Sequence, residues 1–206
     1  MSEPKRRRPA TTLKRDLILN AARRVFEAEG LEGASLRAIA TAAGYTPAAL
    51  YFHFDSKEAL YAEVLAGSLA NLKAHVDTVL APVPGPAARF TAAALAFYDF
   101  YADNPRDLDL GFYLFRGGMR PHGLGRERDE ALNVALEAAL LPIADAAKAL
   151  GAAAGEARLI MADTFAHAAG VLLLAHTRRI RMFETPPRAL MERHVADELA
   201  RLETRK

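Results

Sequence analysis

Six histidines are the most versatile side chains of this sequence for catalysis or metal binding, and their spacing favours neither. No two of them stand four residues apart, which a helix-borne metal site would need. They are His53, His75, His122, His167, His176 and His194. The chain has no cysteine, which excludes thiolate ligands, cysteine nucleophiles and disulfides. No HExxH, GxSxG or phosphate-binding glycine loop occurs either. The sequence therefore predicts a protein that is not an enzyme and has no metal or cofactor.

Binding to phosphate is better supported, because basic residues cluster at the N-terminus. Lys5, Arg6, Arg7 and Arg8 stand between two prolines. Such an arm can lie along DNA phosphates or enter a minor groove. A solubilising tail is the other interpretation, and both stay open. The first 60 residues hold ten Lys and Arg against seven Asp and Glu, while the whole chain has a net charge of only +2. The basic surplus thus lies at the N-terminal end, as expected of a nucleic-acid-binding unit.

Two short helices joined by a tight turn follow this arm, in residues 35–54. Ser35 can cap a helix whose apolar residues repeat at i, i+3, i+4 and i+7, and Gly44 can end it with a positive φ. Thr46 can cap a second helix that starts with Pro47. The pair predicts a helix-turn-helix, whose second helix can enter the major groove of DNA. The spacing alone also fits an ordinary helical hairpin.

The neighbouring helices are predicted to support this pair. A helix from Thr11 or Thr12 to just before Gly30 has an apolar stripe that can close a three-helix unit. Leu50 and Phe54 are the expected inward-facing anchors of the second helix of the pair. Asp55 and Glu58 have the spacing of a capping box, which predicts the start of the following helix.

Beyond residue 56 the sequence predicts a larger helical body. Its longest apolar run, residues 159–175, contains Asp163, Thr164 and His167 and reaches only about 26 Å, so we expect a soluble, intracellular protein. Pro142 should kink or divide one helix. The predicted helices cover residues 56–81, 87–102, 106–115, 127–150, 155–180 and 188–202, with a glycine-rich loop at 116–125.

The run LRAIATAAGYTPAALYFHFDSKEALYAEVL, residues 36–65, resembles the signature of the tetracycline-repressor (TetR) family of bacterial transcription regulators. The resemblance covers roughly residues 13–65. It implies an all-α fold with an N-terminal three-helix helix-turn-helix unit and a larger C-terminal helical bundle, about nine helices in all. The expected domains are a basic arm with a DNA-binding domain at 1–56 and a ligand-binding and dimerisation domain at 57–206.

The resemblance also implies which residues meet double-stranded DNA. Arg37 would reach a base or a phosphate, and Phe52 would be a wedge between the groove and the core. The full set is Arg37, Thr46, Pro47, Ala48, Ala49, Tyr51, Phe52, His53 and Lys57, with Tyr51, His53 and Lys57 at positions that usually hold phosphates. Pro47, Ala48 and Ala49 depart from a polar recognition helix, because they cannot donate paired hydrogen bonds to bases. Specificity would then depend on thymine methyl groups, Arg37 and DNA shape.

The function implied is that of a homodimeric repressor, cytoplasmic and nucleoid-associated when bound, that a small, largely apolar effector releases from a palindromic operator. The helices at 155–180 and 188–202 are expected to form the dimer interface. An effector-independent or nucleoid-associated DNA-binding protein of the same fold is the alternative, and a helical module that never meets DNA is a third. The predicted effector pocket comprises Phe97, Tyr98, Tyr101, Phe112, Tyr113, Phe115, Arg116, Asp163, Phe165 and His167.

Overall fold

The computed structural model describes residues 10–111 and 124–204, and every regular element in these ranges is a helix, which confirms the predicted all-α class. In chain order the elements are α1 (Ala10–Gly33), α2 (Leu36–Ala43), α3 (Pro47–Tyr51), α4 (Lys57–Leu80), α5 (Pro86–Asp103), α6 (Pro105–Gly111), α7 (Arg126–Ala149), α8 (Ala154–His176), a 3-10 helix (Arg179–Phe183) and α9 (Pro187–Glu203).

These helices form two compact units. The N-terminal unit takes its described residues from 1–67 and 109–130, and the C-terminal unit from 68–108 and 131–206. Both α4 and α7 therefore begin in the first unit and end in the second. The functional boundary predicted between residues 56 and 57 stays a prediction.

The N-terminal unit closes around apolar side chains from α1 to α4. Ile18, Ile39, Leu50 and Phe54 are fully or almost fully buried, so the predicted anchors Leu50 and Phe54 are confirmed. The backbone of α1 is non-helical at Gly30 (φ 71°, ψ 177°), and helical turns resume as far as Gly33. The predicted end before Gly30 is thus a break followed by one more helical segment.

The predicted capping box at the start of α4 is wrong by one residue. Ser56, not Asp55, is the cap, since its Oγ accepts a hydrogen bond from the backbone N–H of Ala59 at 3.0 Å. Both residue types make good N-caps. Helix α4 begins at Lys57, so Ser56 is the residue directly before its first helical position.

The C-terminal unit has α5 at its centre, packed against α8 and α9. Phe90, Phe97, Phe100 and Tyr101 of α5 are all buried although they point in several directions around the helix, as its aromatic sequence predicts. Arg188 of α9 donates to Asp99 of α5 at 2.9 Å and fixes the start of α9 on this helix.

Two helices of this unit differ from their predicted course. The predicted division of α7 is not observed, since α7 continues through Pro142 as one helix. The predicted extension of α8 to residue 180 is wrong, because α8 ends at His176. Thr177 Oγ1 donates to the carbonyl of Leu173 at 2.7 Å, and Arg178 turns into the left-handed region (φ 59°). Arg179 and Arg181 consequently lie in the 3-10 helix and not in the last turn of α8.

By length and composition, α8 is the one helix of the described ranges that could cross a bilayer. Only 28% of its apolar stretch is buried within the chain. Buried residues such as Ala157, Ile160 and Val171 face the unit, and the opposite side of the helix is open. A long apolar face of α8 is therefore left uncovered by this single chain.

Candidate nucleic-acid interface

The turn between α2 and α3 is built by local hydrogen bonds. Ser35 Oγ accepts from the backbone N–H of Ala38 at 3.1 Å and caps α2, as predicted. At the other end Gly44 adopts φ 75°, ψ 26°, and its N–H donates to the carbonyl of Thr41 at 3.1 Å. The N–H of Tyr45 reaches the carbonyl of Ala40 at 2.9 Å. This arrangement is a Schellman motif, and it sets the direction in which the chain leaves α2.

The second helix of the motif is short and exposes its first turn. Thr46 Oγ1 accepts from the backbone N–H of Ala49 at 3.3 Å, which confirms the predicted cap, and Pro47 is the first helical residue. Leu50 faces the core, whereas Thr46, Pro47 and Ala48 are exposed and Ala49 is half-buried. The start of α3 thus presents methyl, methylene and hydroxyl groups, a surface suited to thymine methyl contacts.

An aromatic edge follows at the end of α3. Tyr51 is 58% exposed and Phe52 is 87% exposed. The ring of Phe52 meets His53 edge to face, with 5.5 Å between ring centroids. Phe52 therefore has an open ring and does not reach the core as a wedge would. Tyr51 and Phe52 together form a small exposed aromatic patch, and a contiguous exposed patch is a candidate binding surface.

Arg37 and Thr41 form the exposed side of α2. They are one turn apart, and Thr41 Oγ1 donates to the carbonyl of Arg37 at 3.0 Å. Arg37 was predicted as a DNA-binding residue, whereas Thr41, which shares its exposed face, was not. The spacing of four residues was a signal that could have found it, because residues at i and i+4 share a helix face.

Lys57 is engaged by the protein itself. Its Nζ donates to the carbonyls of Leu31 at 2.9 Å and Glu32 at 3.3 Å, at the end of α1. An ammonium has three N–H donors, so one is left for a phosphate. The phosphate contact of Lys57 stays a prediction, and the observed bonds tie the start of α4 to α1.

Contacts between α1 and α4 support the helix-turn-helix. Arg15 of α1 donates to both carboxylate oxygens of Glu63 of α4, at 2.5 and 2.6 Å. The same guanidinium lies 5.1 Å from the centroid of the Phe54 ring. Beneath it, the rings of Phe26 and Tyr61 pack edge to face at 4.8 Å. These contacts hold α1, α4 and the end of the motif in one arrangement, so the exposed residues are presented on a rigid base.

Two groups of predicted site residues lie outside the described part of the chain. The basic arm, Lys5, Arg6, Arg7 and Arg8, is one of them. Phe112, Tyr113, Phe115 and Arg116 of the predicted effector pocket are the other, together with most of the loop predicted at 116–125.

The remaining pocket residues separate into two places within the C-terminal unit. Phe97 packs edge to face on Tyr101 and on Phe165, with ring centroids 5.1 and 5.6 Å apart. Tyr98 is buried on the same helix, and burial raises the pKa of both Tyr98 and Tyr101, so both phenols are neutral. Three of the predicted residues, Phe97, Tyr101 and Phe165, thus form one aromatic cluster, and Tyr98 is buried on the same helix as Phe97 and Tyr101.

Asp163 and His167 lie elsewhere, on the side of α8 that meets α9. The His167 ring stacks on His194 at 4.1 Å between centroids, and Asp163 Oδ2 is 3.9 Å from His194 Nε2. Burial, with a smaller contribution from His167, lowers the pKa of His194. A groove of about 300 Å³ opens beside them, between α8 and α9. Within the described ranges no three His, Asp or Glu side chains are arranged to hold a metal.

The comparisons with known proteins agree with this geometry. Residues 18–64 match the family model described as bacterial regulatory proteins, tetR family. The transcriptional activator FasR of Mycolicibacterium smegmatis is 38% identical over 99 residues, 48% of this chain and 45% of that protein. The transcriptional repressor KstR2 of Rhodococcus jostii is 36% identical over 89 residues, 43% of each. The matches thus span less than half the length of these relatives.

One solved structure extends the likeness to nearly the whole chain, at the level of the fold. The transcriptional regulator FadR of Bacillus subtilis, solved in complex with stearoyl-CoA, superposes with a TM-score of 0.65 at 15% identity. The superposition covers 88% of this chain and 95% of that one.

Proposed function

We propose that this chain, whose residues 18–64 match the family model described as bacterial regulatory proteins, tetR family, is a cytoplasmic, homodimeric repressor of transcription of the TetR type. The observation that best supports DNA binding is the exposed surface of the helix-turn-helix. Arg37 and Thr41 on α2, with Tyr51 and Phe52 at the end of α3, stand open to solvent on a unit whose other large apolar groups are mostly buried. Such a surface fits a major groove and its flanking phosphates.

The homodimer is supported by the open face of α8. A two-fold dimer would present two α3 helices to successive major grooves, about 34–36 Å apart, and would match a palindromic operator. An apolar helix that is mostly uncovered in one chain is stabilised when a second copy buries it. The proposed interface consists of α8 and α9, close to the ranges expected from sequence.

A small, largely apolar effector completes the proposal. The cluster of Phe97, Tyr101 and Phe165 supplies an aromatic wall, and the neutral phenol of Tyr101 supplies a polar handle. A fold neighbour binds stearoyl-CoA, which makes long-chain acyl compounds the first class to test. The effector would favour a dimer state in which the two α3 helices no longer match the operator.

Selection from a random duplex library, followed by titration of the best sequence at several salt concentrations, tests DNA reading. We expect a specific complex whose affinity falls steeply as salt rises, because Lys and Arg release counterions from phosphates. A weak complex that is indifferent to sequence would refute the repressor.

An effector is tested separately by thermal shift with acyl-CoAs, free fatty acids and planar aromatic compounds. Binding to the folded state raises the melting temperature, and the rise grows with the logarithm of the ligand concentration once that concentration exceeds Kd. Specific DNA binding that no compound from this panel or from a wider metabolite library alters would instead favour the effector-independent alternative.

A further inference from the structure

The 3-10 helix after α8 forms a basic and apolar projection, which we define as the basic knuckle, residues 178–183. Arg178 and Glu184, at its two ends, adopt the left-handed conformation (φ 59° and 50°) although neither is glycine. Met182 is 76% exposed and Phe183 is 58% exposed, while Ile180 anchors the segment in the unit. A strained backbone that holds two large apolar side chains in water indicates a contact surface.

The knuckle is also strongly cationic. Arg178, Arg179 and Arg181 are exposed, and within the described part of the chain none of the three forms an ion pair. Glu184 is the one acidic residue directly beside them. A partner that carries apolar surface framed by carboxylates would complement this segment.

The same chain has a surface with that chemistry, the groove between α8 and α9, which we call the acidic groove. Three of its seven lining residues are acidic, and its one cation, Arg201, already pairs with Glu198. The lining consists of Glu156, Leu159, Ile160, Asp163, Glu198, Arg201 and Leu202. Leu159 is 69% exposed at this groove. Its volume of about 300 Å³ leaves room for a large side chain.

The exposed stripe of α8 relates the two surfaces. The residues of the stripe lie on one face of the helix. Their spacing and their side-chain sizes are nearly symmetric about Ala166, with a leucine at each end and small residues in the middle. The stripe consists of Leu159, Ala162, Ala166, Gly170 and Leu173. A two-fold axis through Ala166 would set Leu159 against Leu173 of a second copy, and the small residues at the crossing let two helices approach closely.

We propose that a second copy of this chain crosses α8 antiparallel at Ala166 and seats its basic knuckle in the acidic groove. The antiparallel crossing brings the end of one α8, at His176, to the beginning of the other, at Glu156, and the knuckle continues from that end. Each dimer then has the contact twice. This inference rests on the homodimer proposed above and adds its register and its specificity. A membrane or a nucleic acid is less favoured, because the chain itself supplies the complementary groove.

Charge reversal tests the contact through the dimer dissociation constant, measured by sedimentation equilibrium on the full chain. We expect R179E/R181E to weaken the dimer at least about tenfold, and E156K/D163K to do the same. The combined four-fold variant should return to within about threefold of the wild type, because the charges are exchanged and not lost. Rescue also guards against a folding defect. Lys148→Glu on α7, outside both surfaces, is the matched control and should leave the constant unchanged.

Disulfide trapping tests the register, since the chain has no cysteine of its own. Under mild oxidation we expect Ala166→Cys to cross-link with itself, and an equimolar mixture of Met182→Cys and Leu159→Cys to give the mixed dimer. If the wild type is a dimer whose stability R179E/R181E leaves unchanged, or if the mixed dimer does not form, the knuckle contact is wrong while the homodimer stands. If the wild type stays monomeric at all concentrations, both proposals are wrong.

Discussion

The end of α3 and the open face of α8 both expose apolar side chains, but the surroundings of the two differ. Tyr51 and Phe52 are adjacent at the end of a five-residue helix, and Arg37, Thr41 and Thr46 are the exposed polar residues of the same helix-turn-helix. The α8 face is a continuous stripe of Leu, Ala and Gly, and the exposed carboxylate of Asp163 lies along one edge of it.

This difference indicates two different partners. A small group of exposed rings on a motif with exposed polar side chains suits a hydrated, negatively charged surface such as DNA, where apolar groups meet methyl groups and sugars. A smooth stripe with small residues at its centre suits a second helix, which needs close approach more than hydrogen bonds. The exposed apolar area alone does not distinguish these cases, whereas the groups around it do.

The largest expected effect is on the α8 face. Ala166→Arg would place two like charges opposite each other on the proposed axis, so we expect the dimer to weaken at least about a hundredfold, or roughly 2.7 kcal/mol. Operator affinity should fall with it, because one half-site is then bound alone. Val134→Arg, which also replaces an exposed apolar residue but on α7, is the control. Equal effects of the two variants in sedimentation equilibrium would remove the distinction between α8 and an ordinary surface.

Substitutions in the helix-turn-helix should weaken DNA binding and leave the dimer dissociation constant unchanged. Tyr51→Ala should weaken all DNA sequences about equally, by roughly tenfold, and Arg37→Ala should also change sequence preference. Neither should alter the dimer constant. Fluorescence anisotropy against the selected operator and a scrambled duplex measures the two losses. Wild-type affinity in both variants would mean that this face does not dock on DNA.

A stability comparison tests how locally the motif is built. Gly44→Ala puts a methyl group on a left-handed residue (φ 75°) where no atom lies within 4 Å, so its expected cost of about 1 kcal/mol is conformational. Gly67→Ala, in α4, also meets open space but in the helix interior, and should stabilise by about 0.5–1 kcal/mol. Urea unfolding of both variants measures the change in the free energy of unfolding, which should be a loss for Gly44→Ala and a gain for Gly67→Ala. If Gly44→Ala leaves the free energy of unfolding unchanged, the assigned turn is wrong.

The smallest expected effect is that of pH on the packing of α8 against α9. Because burial lowers the pKa of His194 in the folded protein, the unfolded chain binds more protons below pH 6.5, and stability falls as the pH is lowered through that region. His167 and Arg201 add to the shift, while Asp163 and Glu198 oppose it. We expect His194→Gln to lose less melting temperature than the wild type between pH 7.5 and 5.5. An identical loss in differential scanning calorimetry would show that this histidine does not contribute.

The sequence by itself determined the features that depend on neighbours a few residues away. Ser35, Gly44 and Thr46 cap and turn the helix-turn-helix through hydrogen bonds within four or five positions, and all three act as their types predict. Apolar periodicity likewise identified Leu50 and Phe54 as core. Such interactions need no knowledge of the rest of the chain, because their partners are fixed by spacing.

Tertiary packing determined two kinds of feature. It determined which of several possible residues takes a local role such as a helix cap, and which side chains distant in sequence come into contact. Asp55 and Ser56 can both cap α4, and in the folded chain Ser56 is the residue that does so. Asp163 and His167 meet His194 of α9, whereas Phe165, on the same helix, meets Phe97 of α5. One-dimensional spacing places residues on faces of a helix but does not say which neighbour covers each face. The exposed stripe of α8 became visible only when the described fold left that face without a neighbour.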